Sequence, residues 1–148
     1  MTLFRDFKEK DREIFLEFCS DFYRGDAVDH PISKAQMVTT FDEILRQGPY
    51  LRGLLFEQDG EPAGYGQLSF TFSNEAGGFV VLIEELYVLP AFQGRGIGSA
   101  FLDWVKEEYR ERAKRYRLEV CAGNTGAIRL YSRKGFERLC YEQMILEV

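Results

Sequence analysis

The chain has 148 residues, 45% of them hydrophobic and 29% charged, a globular profile that excludes a disordered or fibrous protein. A chain of this length buries about 70% of the surface it exposes when unfolded, so one domain over residues 1–148 is expected to hold without disulfide or structural metal. The net charge of −5 excludes affinity resting on phosphate neutralisation, and no apolar run approaches the ~20 residues of a membrane span, so a cytoplasmic protein with no nucleic-acid or membrane partner is expected.

Thr2 to Phe7 reads as a first strand. Asp11 then opens a helical pattern in which Ile14, Phe18 and Phe22, with Phe15 and Cys19, share one face until Gly25 closes it. A loop over Asp26 to Pro31 follows, and Ser33 is the N-cap of a second amphipathic helix carrying Met37, Phe41, Ile44 and Leu45 up to Gly48-Pro49. Leu51 to Glu57 and Ala63 to Phe72 have strand character, and Asp59-Gly60 between them predicts a hairpin turn. After a second turn, Phe79 to Val88 is the most apolar strand, interrupted only by Glu84 and Glu85 and stopped by Pro90. Ile97, Phe101, Trp104 and Val105 define a third helix. Arg117 to Cys121 reads as a strand, Thr125 to Lys134 as a short helix ended by Gly135, and Glu137 to Val148 as a final strand region. Cys19, Cys121 and Cys140 lack the paired spacing of a zinc site or disulfide framework, so free thiols and no metal are expected.

The informative stretch runs from Glu84 to Ser99: a buried strand, a glycine-rich turn, then a helix. Such a turn lets backbone N–H groups converge, and a helix N-terminus favours negative charge, so together they suit phosphate. A Walker A loop would need a lysine before Ser99, and a dinucleotide fingerprint a different glycine spacing than Gly94, Gly96 and Gly98; neither fits. What remains is Gln/Arg-x-x-Gly-x-Gly/Ala, present as Gln93-Gly94-Arg95-Gly96-Ile97-Gly98.

With these residues the chain resembles the GNAT superfamily of N-acetyltransferases, nearest in motif to its small-molecule amine and polyamine branch. Leu118 to Phe136 is similar to the second motif of that superfamily. The resemblance implies an α/β (α+β) fold: a mixed twisted sheet of about six to seven strands, about four flanking helices, and a fourth strand splayed by a β-bulge. It implies acetyl-CoA as cosubstrate, coenzyme A as product and an amine acceptor. Leu86, Tyr87 and Val88 would meet the pantetheine arm; Gln93, Gly94, Arg95, Gly96, Ile97, Gly98 and Ser99 the pyrophosphate; and Asn124 and Ala127 the pantetheine amide region; Lys134, with Arg129 and Arg133, would meet the 3′-phosphate or form a solvated cationic face.

Acetyl transfer to an amine needs a group that takes the ammonium proton, donors for the oxyanion and an acid for the thiolate. Glu84 and Glu85 stand where the superfamily carries its base, and strand alternation lets only one of them face the substrate. By its distance from Gln93, Glu84 matches the base of the polyamine branch and is favoured. Tyr131 matches the general acid; without the resemblance it would read as a core aromatic. Tyr23, His30, Phe70 and Phe72 are candidates for acceptor specificity, and His30 also reads as an ordinary loop residue. Cys121, with no histidine nearby in sequence, reads as an inert thiol, which favours direct transfer over an acyl-cysteine intermediate. The alternative is a non-enzymatic acyl-CoA-binding or sensing domain of the same fold. The aromatic-rich C-terminal region suggests a homodimer.

Overall fold

The computed structural model describes residues 1–25, 28 and 30–148, so the loop expected over Asp26 to Pro31 lies partly outside the described residues. Among the described residues five strands form one sheet in the order of the chain: β1 (Thr2–Asp6), β2 (Leu51–Gln58), β3 (Glu61–Ser73), β4 (Gly78–Val88) and β5 (Ala113–Leu118). The first four pair antiparallel, and β5 runs parallel to β4. The β2–β3 hairpin turns where expected: Asp59 and Gly60 both have positive φ, 52° and 87°, as a type I′ turn requires.

The helices that cover the sheet are α1 (Arg12–Arg24), α2 (Lys34–Leu45), α3 (Ile97–Glu108) and α4 (Thr125–Arg133). Ser33 caps α2 and Gly25 ends α1, as the sequence predicts, and Gln36 completes a reciprocal capping box with Ser33. The first two helices bury an aromatic cluster on one face of the sheet, in which Phe15, Phe41 and Tyr65 are fully enclosed. On the other face α3 packs Phe101, Leu102 and Val105 against Leu54, Phe56 and Leu68. Gly66 permits that approach: a Cβ there would lie 2.3 Å from Phe101.

The expected last strand and the six to seven strands that included it are corrected. Residues 137–148 form no strand, and the sheet of the described residues has five. The segment leaves its apolar side chains exposed, with Met144, Ile145 and Leu146 at 94%, 77% and 89%, so little of the hydrophobic term that would offset ordering it as a strand is present. The strand expected over Arg117 to Cys121 instead begins at Ala113 and ends at Leu118, because its partner β4 departs there.

Candidate active site

The site is built by one irregularity in β4. Gln67 of β3 pairs with Glu85, and the next residue, Leu68, pairs with Ile83, so Glu84 is an extra residue without a partner in the ladder, a β-bulge. Before the bulge Val81 and Ile83 face α3; after it Tyr87 packs on the α1 side while Leu86 and Val88 face α3. Strand alternation therefore does not separate the two glutamates: both line the same cleft.

The bulge coincides with a divergence. Parallel pairing of β4 with β5 ends at Ile83 and Leu118, so the β5-facing edge of residues 85–88 has no described strand beside it. Leu89 N–H donates to Ala63 at 2.8 Å, which points the odd-numbered residues toward β3 and leaves Leu86 and Val88 with their N–H and C=O groups on the open edge. Gln93 Nε2 donates to the Val88 carbonyl at 3.0 Å, closing the far end of that edge.

There α3 begins. Gly94 and Gly96 have φ of 77° and 79°, the left-handed region that favours glycine, and Gly96 is the N-cap. The first intrahelical bond runs from Ala100 N–H to Gly96, so the N–H groups of Ile97, Gly98 and Ser99 face the cleft without intrahelical partners. A helix start with three free donors attracts anionic oxygen.

The cleft, about 1040 Å³, runs from this turn past Glu84 and Glu85 to the end of α1 and is walled by the start of α4. Asn124 caps α4, its Oδ1 accepting from Ala127 N–H at 3.3 Å. Tyr131 faces the cleft one helical turn further, its ring edge-on to Phe136 at 6.0 Å, and burial raises the affinity of its phenol for its proton.

The two glutamates differ in surroundings. Glu84 is exposed and accepts from Ser69 Oγ at 2.7 Å. Glu85 is buried; its Oε1 accepts from Tyr65 at 2.6 Å and its Oε2 from Tyr23 at 2.5 Å. Burial pushes the Glu85 carboxyl above the usual range, and the two tyrosine hydrogen bonds only partly oppose it. Below it, burial and the charge of Glu85 push the Cys19 thiol up to about 12, so this thiol is inert.

Most of the residues singled out in the sequence meet here: Glu84, Glu85, Leu86, Val88, Gln93, Gly94, Gly96 to Ser99, Asn124, Ala127 and Tyr131 all line the cleft, with Tyr23 and His30 on its α1 side. Others lie off its wall. Tyr87 turns to α1, where its hydroxyl donates to Asp21 at 3.3 Å. Arg95 stacks over Phe92 at 5.1 Å, and Lys134 is engaged by Asp103 at 2.7 Å. Phe70 stacks on Phe79, and Phe72 points to solvent. Cys121 lines the cleft beyond the end of β5 rather than on a strand. Tyr65 and Glu119 are site residues the sequence did not reveal; finding Tyr65 requires the β3–β4 register, which the bulge sets.

The acetyltransferase (GNAT) family profile matches residues 12–136, and the chain belongs to that family. Over 83 residues it is 39% identical to an uncharacterised N-acetyltransferase of Methanocaldococcus jannaschii, covering 55% of this chain and 37% of that one. Over 115 residues it is 31% identical to the thialysine N-epsilon-acetyltransferase of Sus scrofa, covering 68% and 67%. The chain thus spans only part of the curated relatives it matches, about half of the aminoalkylphosphonate N-acetyltransferase of Salmonella typhimurium, for example. The fold matches the crystal structure of a possible acetyltransferase from Clostridium difficile 630 with a TM-score of 0.85, at 15% identity and over 100% of this chain and 98% of that one. The aminoglycoside N-acetyltransferase AAC(6')-Iy, solved in complex with CoA, matches with a TM-score of 0.77 at 20% identity, over 100% and 94%.

Proposed function

We propose that the chain is an acetyl-CoA-dependent N-acetyltransferase that moves an acetyl group directly to a primary amine, of a small molecule or an exposed peptide or protein amine, in a ternary complex. The observation that carries this reading is the open edge of β4, which presents Leu86 and Val88 between a helix N-terminus at one end and a solvent-facing carboxylate at the other. An extended pantetheine arm fits that edge as an added strand, with the pyrophosphate on the first turn of α3.

In this reading Glu84 takes a proton from the ammonium and, being exposed, passes it to solvent. The freed nitrogen lone pair adds to the thioester carbon, and Leu86 N–H donates to the oxyanion that forms. As the oxyanion collapses, the C–S bond breaks and Tyr131 gives its proton to the leaving sulfur. The second proton shed by the adduct nitrogen restores Tyr131 through solvent, leaving an N-acetyl amine and coenzyme A thiol. An ordinary thiol is more acidic than an ordinary phenol, and burial makes the Tyr131 phenol hold its proton more firmly still, so this transfer is uphill and is completed only as the adduct collapses.

The same reading has residues 1–148 acting as one cytoplasmic domain whose partners are acetyl-CoA and the amine, with the exposed run Met144 to Leu146 as apolar surface for a homodimer. Thermal unfolding with excess acetyl-CoA tests the cofactor half. At 100 times Kd, binding to the native state adds about 2.7 kcal/mol, roughly 5 to 10 °C for a domain of this size. The shift is expected with acetyl-CoA and not with ATP or NAD, followed by thiol release with amines. Binding without release for any amine would leave an acyl-CoA-binding domain.

A further inference from the structure

The two adjacent carboxylates of the bulge are in different states of engagement. Glu84 has an open face to solvent and one hydroxyl partner, Ser69. Glu85 is 9% exposed and has a tyrosine hydroxyl on each oxygen, at 2.5 and 2.6 Å. Both donors hold their protons firmly, since burial raises Tyr23 and Tyr65 alike. A carboxylate sealed in this way is poorly placed to collect a proton from an incoming amine and hand it to water. It is well placed to hold its donors.

Tyr65 is itself enclosed in the core, whereas Tyr23 is only half-buried and lines the cleft. Tyr23 stands next to the last residue of α1, edge-on to Phe22 at 5.2 Å, and the chain beyond it carries Val28 and His30, which line the same side of the cleft. Where the Tyr23 ring sits therefore fixes the acceptor-side wall.

We propose that Glu85 is a positioning residue that fastens the Tyr23 ring as the wall of the acceptor site, leaving proton removal to Glu84. The proposal rests on the acetyltransferase reading and divides the labour between the two adjacent residues that the sequence offers as candidates for the base. Tyr65 anchors Glu85 from the core, Glu85 anchors Tyr23, and Tyr23 shapes the space offered to the amine. The bulge makes this possible, because it brings both carboxylates to one cleft with only one of them open.

Steady-state kinetics against acetyl-CoA and an accepted amine test it. Tyr23→Phe removes a hydrogen bond to a carboxylate and is expected to raise the acceptor KM about tenfold or more, with kcat within about threefold and the acetyl-CoA KM unmoved. Glu85→Leu should match it, and the double variant should be no worse than either single one, as for two residues acting as a unit. Glu85→Gln keeps an acceptor and a donor for the two hydroxyls, so the acceptor KM should return most of the way to wild type. The proposal is overturned if Glu85→Gln lowers kcat more than tenfold, which would make Glu85 the base, or if Tyr23→Phe leaves the acceptor KM unchanged. Hydrogen exchange reads the tether without turnover: Tyr23→Phe should speed exchange of the Phe22 to Gly25 amides and spare those at the start of α1. Unchanged exchange would refute the tether, and faster exchange in a protein that acetylates no amine would refute the transferase reading alone.

Discussion

Asn124 is asked to do two things with one side chain, and substitution can separate them. Its Oδ1 accepts from Ala127 N–H at 3.3 Å and so caps α4, the helix that carries Tyr131. Among the described residues its Nδ2 donates to no partner, and it is the group available to a pantetheine carbonyl in the proposed complex. Asn124→Ala removes both and should cost about 1 kcal/mol of stability through the cap, roughly 4 °C in a domain of this length. Asn124→Asp keeps an oxygen acceptor and adds negative charge at a helix N-terminus, so its melting temperature should equal or exceed wild type. Acetyl-CoA affinity should fall in both variants, by the 0.5 to 1.5 kcal/mol of one hydrogen bond, or about 2- to 13-fold. Differential scanning calorimetry gives the first quantity and isothermal titration the second. Unchanged stability in Asn124→Ala would refute the capping argument, and full acetyl-CoA affinity in Asn124→Asp would show that the amide never touches the cofactor.

Gly66→Ala places a methyl 2.3 Å from the Phe101 ring, in a core with no room to move, and should lower stability by about 1 to 3 kcal/mol in urea unfolding. Gly96→Ala meets no neighbour but imposes about 1 to 2 kcal/mol on a left-handed residue; acetyl-CoA affinity should fall with stability, and a variant as tight and stable as wild type would count against the turn as described. Burial raises the Glu85 pKa above its unfolded value, so its contribution to stability is complete below the unfolded pKa and is lost as pH rises through the folded one. Glu85→Gln should therefore gain on wild type as pH rises from 5 to 8, by about 1.4 kcal/mol for every tenfold difference in proton affinity between the folded and unfolded carboxyl, and a difference flat with pH would refute the burial argument. Asp11 acts in the opposite sense. Burial pushes its carboxyl up, but Arg5, bound at 2.8 Å, and Lys8 N–H outweigh this and lower it, so its contribution is present above about pH 4 and lost below. Asp11→Asn should destabilise at pH 7, and the difference from wild type should shrink as pH falls below about 4.

Much of this was legible in sequence because the signals were local. The Ser33 cap, the Asp59-Gly60 turn and the Gly94 to Gly98 approach to α3 each need only a few consecutive residues to specify a backbone shape. The site's second half was not legible, because it depends on register. Alternation along β4 assigns Glu84 and Glu85 to opposite faces, and one unpaired residue cancels that rule without leaving a mark in composition or periodicity. Tyr23 and Tyr65 meet at Glu85 from sequence separations of 62 and 20 residues, a coincidence visible only once α1, β3 and β4 are packed. The final segment misled for a related reason: residues 137–148 have the residue types of a strand, but a strand also needs a partner and a face to bury, which residue type alone does not supply.

The bulge and the divergence of β4 from β5 share a cause and divide the site's work. With Glu84 inserted, Ile83 is the last β4 residue to pair with β5, and every residue after it is displaced by one position relative to β3. That displacement turns Tyr87 to the α1 side and Leu86 and Val88 to the α3 side, so the apolar side chains still find a core while the backbone edge between them is left unpaired. An unpaired edge inside a fold costs stability unless something satisfies it. Here Gln93 satisfies only Val88, and among the described residues the Leu86 groups remain available. A strand that had kept its register would have closed against β5 and left neither the open edge nor two carboxylates in one cleft, so deleting Glu84 should abolish acetyl-CoA binding while Glu84→Gln preserves it and loses turnover. Loss of binding in Glu84→Gln as well would place the charge of Glu84, rather than the extra residue, at the origin of the cofactor site.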